Sequence, residues 1–343
     1  MSNPTRGAPS PVGPPRGRGH ANGRGRGRGL GDVRGWAGGH GRGRGRGGGR
    51  GIVAGERGDE REQLRAVSYE TKALIPSILA RSRDSNLLKE GIIYRSPTAP
   101  PRLDQKFCPK FTGTTIQVFE ADSFDAGIQL LSDSNNQSGS TVADVAVLNM
   151  ASDFALGGSW LNGARAQEEA LCRRSTLTAS LKQSFYPTPS DAVIYSPAVI
   201  VFRNSLKDGH GLMDLSDTDT LPVISVISMA APRRPGVVRG ADSLLKFANP
   251  NDRSRAKEKM RIILRLSAWK RHRNVVLGAL GCGAFRNPAE EVANCWAEVF
   301  SESEFRGGWW EKVVFAVIDE TGLGKYGNGN VGIFFRKLDG IEV

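Results

Sequence analysis

Cysteine is scarce and scattered: Cys108, Cys172, Cys282 and Cys295 are the only four in 343 residues, and no two form a CxxC pair. That spacing offers neither a disulfide framework nor a zinc ligand set, and no histidine pair stands nearby to complete one. Apolar runs are short. None approaches the roughly eighteen residues needed to span a bilayer, and the first thirty residues lack the apolar core of a secretion signal. Lysine is missing from the first 57 residues altogether. These absences lead us to expect a soluble intracellular protein, nuclear or cytoplasmic or both, with reduced thiols and no membrane contact.

What is there is unevenly spread. Of a net charge of +12, residues 1–57 supply most: twelve arginines face only Asp32 and Glu56, while the remaining 286 residues hold 35 basic and 33 acidic side chains. Twenty of the 43 glycines fall there too, in alternations such as GRGRGRG at 23–29 and 41–47. Glycine makes ordering costly and there is little apolar surface to bury, so a disordered RG-rich tail is expected over 1–58. Arginine forks pair with phosphate and stack on bases, and a flexible chain can follow any phosphodiester path. RNA, DNA or a protein-attached polyanion would all suit such a tail, as would a merely solubilising role.

From about residue 61 hydrophobic periodicity appears. The spacing predicts a helix over 61–80, kinked or interrupted at Pro76. Strands are predicted at 114–121, 142–150, 192–202, 222–230, 274–280 and 312–318, with helices at 123–131, 166–183, 252–271 and 288–301 between them. Strands alternating with helices, several of them apolar nearly throughout, indicate an α/β fold with a largely parallel sheet covered on both faces. In such folds ligands bind beyond the carboxyl ends of the strands.

Two loops at such ends are glycine-rich: ASDFALGGSWLNGA after 142–150 and GCGAFRNP after 274–280. Glycine there permits positive φ and close approach of backbone N–H groups to a phosphate, and a helix N-terminus follows each loop. Either loop alone is equally a tight connection. Two in one sheet favour a ligand carrying a diphosphate. The first leads into Gln167-Glu168-Glu169 at the start of a helix, where glutamate commonly complements the helix dipole. Adjacent helical residues diverge by about 100°, so the two carboxyls cannot do the same work. A general acid here needs burial, or a negative neighbour, to overcome the acidifying helix terminus.

The stretch VLNMAS…GGS, seven residues, then QEEALCRRSTL (147–177) resembles the signature of the microbial-type poly(ADP-ribose) glycohydrolases. VIYSPAVIVFR, PVISVISMAAP, VVLGALGCGAFRNPAEEVA and VVFAVID resemble further blocks of that family in the same order, covering roughly residues 60–320. The resemblance implies a macrodomain-like three-layer α/β/α sandwich with a mixed sheet over 114–322. A helical accessory region over 59–113 would precede it, and a C-terminal segment, 323–343, would follow. It implies hydrolysis of the ribose–ribose O-glycosidic bond of poly(ADP-ribose), with that polymer and ADP-ribosylated proteins as partners and with no metal or organic cofactor. Glu169 would be the catalytic acid and Glu168 would hold the ribose hydroxyls, with Gln167 beside them. Gly157, Gly158 and Ser159 would face Gly281, Cys282 and Gly283 across the diphosphate, with Phe285 and Asn162 near the terminal ribose.

Two residues depart from the family pattern. Ser159 stands where the third glycine is usual, and Leu156 where proline is common. If position 159 required positive φ, the serine would weaken diphosphate binding. A non-catalytic ADP-ribose reader, or an RNA-associated factor using the RG-rich tail, is the competing reading. His210, in a polar loop, and His272, at a helix end, are expected to be solvated.

Overall fold

The computed structural model describes residues 49–82, 90–135, 144–318 and 321–343. Most of the expected RG-rich tail, residues 1–48, lies outside the described residues. Seven strands form one sheet in the order β1 (Ile92–Tyr94), β4 (Val193–Ile200), β5 (Val223–Met229), β3 (Val145–Met150), β8 (Asn274–Leu277), β9 (Lys312–Val317), β2 (Ile116–Glu120). The run from β5 to β2 is parallel, whereas β4 is antiparallel to both β5 and β1. The sheet is therefore mixed and largely parallel, as the apolar strands predict.

Its two faces are read directly from β3. Ala146 and Leu148 belong to a core with Met260 and Ile263 of α5 (Pro250–Trp269) and Trp296 of α6 (Ala289–Phe300). Val145 and Val147 belong to a second core with Phe124 and Leu130 of α2 (Ser123–Asn135) and Leu171 of α3 (Gln167–Arg174). Alternate residues of one strand thus bury against opposite helix layers, which makes three layers, α/β/α.

Several boundaries differ from expectation for identifiable reasons. The first helix, α1, runs Gly49–Arg81 with Pro76 inside it, so the proline does not interrupt it. Proline removes one backbone hydrogen bond. Ile75, Ile78 and Leu79, packed with Ile200, Phe202 and Leu221, hold the helix together around that gap. The helix expected over 166–183 is divided. Ser175 is extended between α3 and α4 (Leu177–Ser180) and bridges Val201, a tertiary pairing that overrides local helical preference. Four elements were not foreseen: β1, the strands β6 (Val237–Arg239) and β7 (Leu245–Phe247) of one hairpin, and α7 (Asn330–Leu338). The strands are three residues long, too short to show a period, and α7 starts directly after the glycine-rich Gly327–Gly329.

Both histidines are buried rather than solvated, at 1% exposure for His210 and 2% for His272. The His272 ring sits 3.0 Å from the Tyr195 hydroxyl. His210 Nδ1 lies 3.3 Å from the Asn204 carbonyl, and burial, reinforced by the charge of Arg173, pushes its pKa down to about 4. It is a neutral core histidine.

Candidate active site

The start of α3 is fastened to the end of β3 by Gln167. Its amide oxygen accepts the Met150 N–H at 2.9 Å, and its Nε2 donates to the Leu148 carbonyl at 2.7 Å and to Ser123 Oγ at 3.1 Å. Gln167 lines the cleft, yet its polar atoms are used in orienting the helix. The two glutamates that follow are thereby fixed at the carboxyl end of the sheet.

Glu168 and Glu169 are both buried, and their settings differ. Glu168 accepts the Ser152 N–H at 2.7 Å and the Asn149 side-chain amide at 3.4 Å. Burial pushes its pKa up to about 8; the Glu169 charge adds to this and the Ser152 bond opposes it. At neutral pH Glu168 is mostly a neutral carboxylic acid, able to donate as well as accept. Glu169 accepts the Ser159 N–H on Oε1 at 3.0 Å, while Oε2 is buried with no hydrogen-bond partner among the described residues. One oxygen of the carboxyl is clamped and the other is free.

The glycine loop makes this possible. Gly158 has φ +60°, and a Cβ there would collide with Glu169 Oε1 and lie 3.0 Å from Glu168 Oε2. Both carboxyls therefore crowd one backbone position that only glycine fits. Gly157, at φ +65°, is wedged against Trp160 and Cys172 behind the loop. Ser159 has φ −110°, a conformation open to any L-residue, and it is the Ser159 N–H, common to serine and glycine, that holds Glu169. The departure from the usual third glycine leaves this clamp intact.

The second loop faces the first. Gly281 (φ +79°) has no room for a side chain beside Ala231 and Asn287, whose Nδ2 donates to the Pro232 carbonyl at 2.8 Å and the Gly281 carbonyl at 3.1 Å. Asn287 thus ties the loop to the segment after β5. Between the two loops lies a cleft of about 790 Å³ over the carboxyl ends of the parallel strands. Of the residues singled out in the sequence, Gly158, Ser159, Gln167, Glu168, Glu169, Gly281, Gly283 and Phe285 line it. Gly157, Cys282 and Asn162 do not. Cys282 is partly buried, and burial pushes its thiol up, away from reactivity. Asn162 is exposed, and its backbone carbonyl accepts Arg61 Nε of α1 at 2.8 Å.

Sequence reading missed Asn149 and Ser152, which hold Glu168, and the cleft-lining Phe154, Arg165 and Arg233. Asn149 and Ser152 had a signal, since both sit at the end of a strand leading to a glycine loop. Arg233 had none, because it comes from a separate segment after β5. The reach of α1 was also hidden. Ser68 Oγ donates to the Trp160 carbonyl and Thr71 Oγ1 to the Arg173 carbonyl, each at 2.7 Å, while Glu60 pairs with Arg165 at 2.9 Å. The first helix thus braces both the glycine loop and α3.

A three-layer sandwich with a glycine-walled, two-carboxyl cleft at its strand ends is of the macrodomain-like class. Residues 76–204 match the family model described as microbial-type PARG, catalytic domain, which bears out the resemblance read from 147–177. Among solved structures, poly(ADP-ribose) glycohydrolase from Thermomonospora curvata bound to the inhibitor ADP-HPD is 27% identical, with a TM-score of 0.61 over 81% of this chain and 100% of that one. The enzyme from Deinococcus radiodurans in complex with ADP-ribose is also 27% identical, with a TM-score of 0.56 over 73% of this chain and 94% of that one. No curated protein matches the chain. Among the described residues, no helix is long and apolar enough to cross a membrane.

Proposed function

We propose that this protein is a poly(ADP-ribose) glycohydrolase in which Glu169 cleaves the ribose–ribose O-glycosidic bond as general acid and then general base. The observation that carries the reading is the divided carboxyl of the cleft-lining Glu169, with Oε1 held by the Ser159 N–H and Oε2 buried with no partner among the described residues. A proton on Oε2 passes to the leaving ribose oxygen as the glycosidic bond breaks and positive charge builds on the anomeric carbon. Oε2, now a carboxylate, then takes a proton from the water that attacks that carbon. The two half-reactions need a single carboxyl in two protonation states, consistent with general glycosidase logic.

Glu168 has a different part. As a largely neutral acid at physiological pH it can donate to one ribose hydroxyl and accept from another. The glycine loops supply close backbone approach for the diphosphate. In this reading residues 114–322 carry the chemistry and residues 59–113 brace it through α1. ADP-ribosylated proteins present the polymer, and the RG-rich stretch adds affinity for polymer, RNA or DNA. The protein acts inside the cell, in nucleus or cytoplasm. Incubating purified protein with auto-modified poly(ADP-ribose) tests the activity: release of free ADP-ribose is expected, and ADP-ribose binding without release would leave only a reader.

A further inference from the structure

Two cationic side chains, Arg165 and Arg233, line the cleft. Arg165 is paired with Glu60 of α1 at 2.9 Å. Arg233 is differently placed. Its Nε donates to Asp153 Oδ1 at 3.0 Å, its Nη2 reaches the same oxygen, and its guanidinium lies 4.5 Å from the centre of the Phe285 ring. Asp153 belongs to the loop after β3 that leads to Gly157 and Gly158, whereas Arg233 and Phe285 ride on the opposite side. There the Arg234 N–H donates to the Phe285 carbonyl at 2.9 Å and Asn287 binds the Pro232 carbonyl. The Arg233–Asp153 pair is therefore a tie between the two loops that wall the cleft.

Three features make that tie exchangeable. The pair is about half exposed, at 47% and 38%, and ion pairs in such settings are weakly held. Both contacts converge on one carboxylate oxygen, so neither the two-oxygen face of the carboxylate nor the full fork of the guanidinium is matched. The Phe285 ring supports the guanidinium independently of Asp153. A diphosphate offers more charge and more acceptor oxygens than one half-used carboxylate.

We propose that Arg233 is the cleft's exchangeable anion receptor: it leaves Asp153 for a phosphate oxygen of the bound ADP-ribosyl unit while remaining over Phe285. Asp153 acts as a built-in competitor for the ligand phosphate. This assignment rests on the ADP-ribosyl reading of the cleft given above. It makes Arg233 a positioning residue, setting affinity and register rather than transferring a proton.

The test is calorimetric titration of ADP-ribose into wild type, Arg233→Ala, Asp153→Asn and the double variant at low ionic strength. Arg233→Ala should weaken binding about tenfold, whereas Asp153→Asn should tighten it roughly two- to threefold by removing the competitor. The double variant should bind like Arg233→Ala, because the group for which Asp153 competes with the ligand is Arg233. If the pair were merely a structural tie, both single substitutions would weaken binding. An Asp153→Asn affinity equal to or below wild type, or an Arg233→Ala affinity equal to it, overturns the assignment while leaving the glycohydrolase reading in place. Failure of the wild type to bind ADP-ribose overturns both.

Discussion

The Ser159 N–H and the Glu169 carboxyl are joined by one hydrogen bond of 3.0 Å to Oε1, and the other oxygen, Oε2, is buried without a partner among the described residues. A backbone donor fixes the direction of the side chain, and leaves one oxygen for chemistry. Because the donor is the main chain, the identity of residue 159 matters less than its conformation, which at φ −110° suits serine and glycine alike. Ser159→Gly should therefore keep kcat within about threefold of wild type, since the clamp survives and only a hydroxyl is lost. Steady-state release of ADP-ribose from polymer measures this; a large gain would mean that the serine obstructs the site.

Gly158 is the position that cannot change. A Cβ there runs into Glu169 Oε1 in a backbone conformation that L-residues rarely adopt. Gly158→Ala should lower kcat on the order of a hundredfold by displacing the carboxylate. It should also destabilise the fold by roughly 1–3 kcal/mol through the left-handed backbone. Kinetics and urea unfolding on the same preparation report the two effects separately.

Stability should depend on pH through Glu168. Its folded pKa is raised to about 8 from the ordinary glutamate value of 4.5, so between those values the folded state holds a proton that the unfolded state has released. The unfolded state then binds fewer protons, and stability falls as pH rises through this window, levelling off above about 8. Glu168→Gln removes the titration. Urea midpoints at the acidic and alkaline ends of the window should differ less for Glu168→Gln than for wild type, and an equal difference would contradict the assignment.

Gln167 should prove structural in its effect. Gln167→Ala strips the Met150 N–H and the Leu148 carbonyl of their side-chain partner. A loss of about 2 kcal/mol in stability is expected from the unpaired groups, with kcat reduced through a loosened α3. Thermal and urea unfolding check the first part. Unchanged stability would return the residue to a ligand-binding role.

The RG-rich segment should act on polymers alone. Deleting residues 1–48, which precede α1, should leave the affinity for monomeric ADP-ribose unchanged while weakening polymer binding and flattening its salt dependence. Titrations of both ligands at two salt concentrations decide it. An unchanged polymer affinity would remove the polyanion role.

How much of this was legible depended on whether a feature is local. The strands Val145–Met150, Val223–Met229 and Lys312–Val317 showed themselves because burial on both faces makes them apolar nearly throughout. The pairing of a glycine loop with Gln167-Glu168-Glu169 was likewise continuous in sequence, and helical geometry already separated the two carboxyls. Ser159 could not be resolved that way, since its φ is a property of the folded loop. Nor could the burial of His210, which rests on Asn204 and a surrounding of arginines, or the break at Ser175, made by a bridge to Val201. The Arg233–Asp153 tie joins segments 80 residues apart and has no local signature.

The most direct test of the central claim is Glu169→Gln, which keeps the side chain's shape and an acceptor for the Ser159 N–H but removes the transferable proton. ADP-ribose should bind within a few-fold of wild type, while release of ADP-ribose from polymer falls by about 10²–10⁴-fold. Polymer turnover by Glu169→Gln close to the wild-type rate would contradict the account and place the acid elsewhere in the cleft.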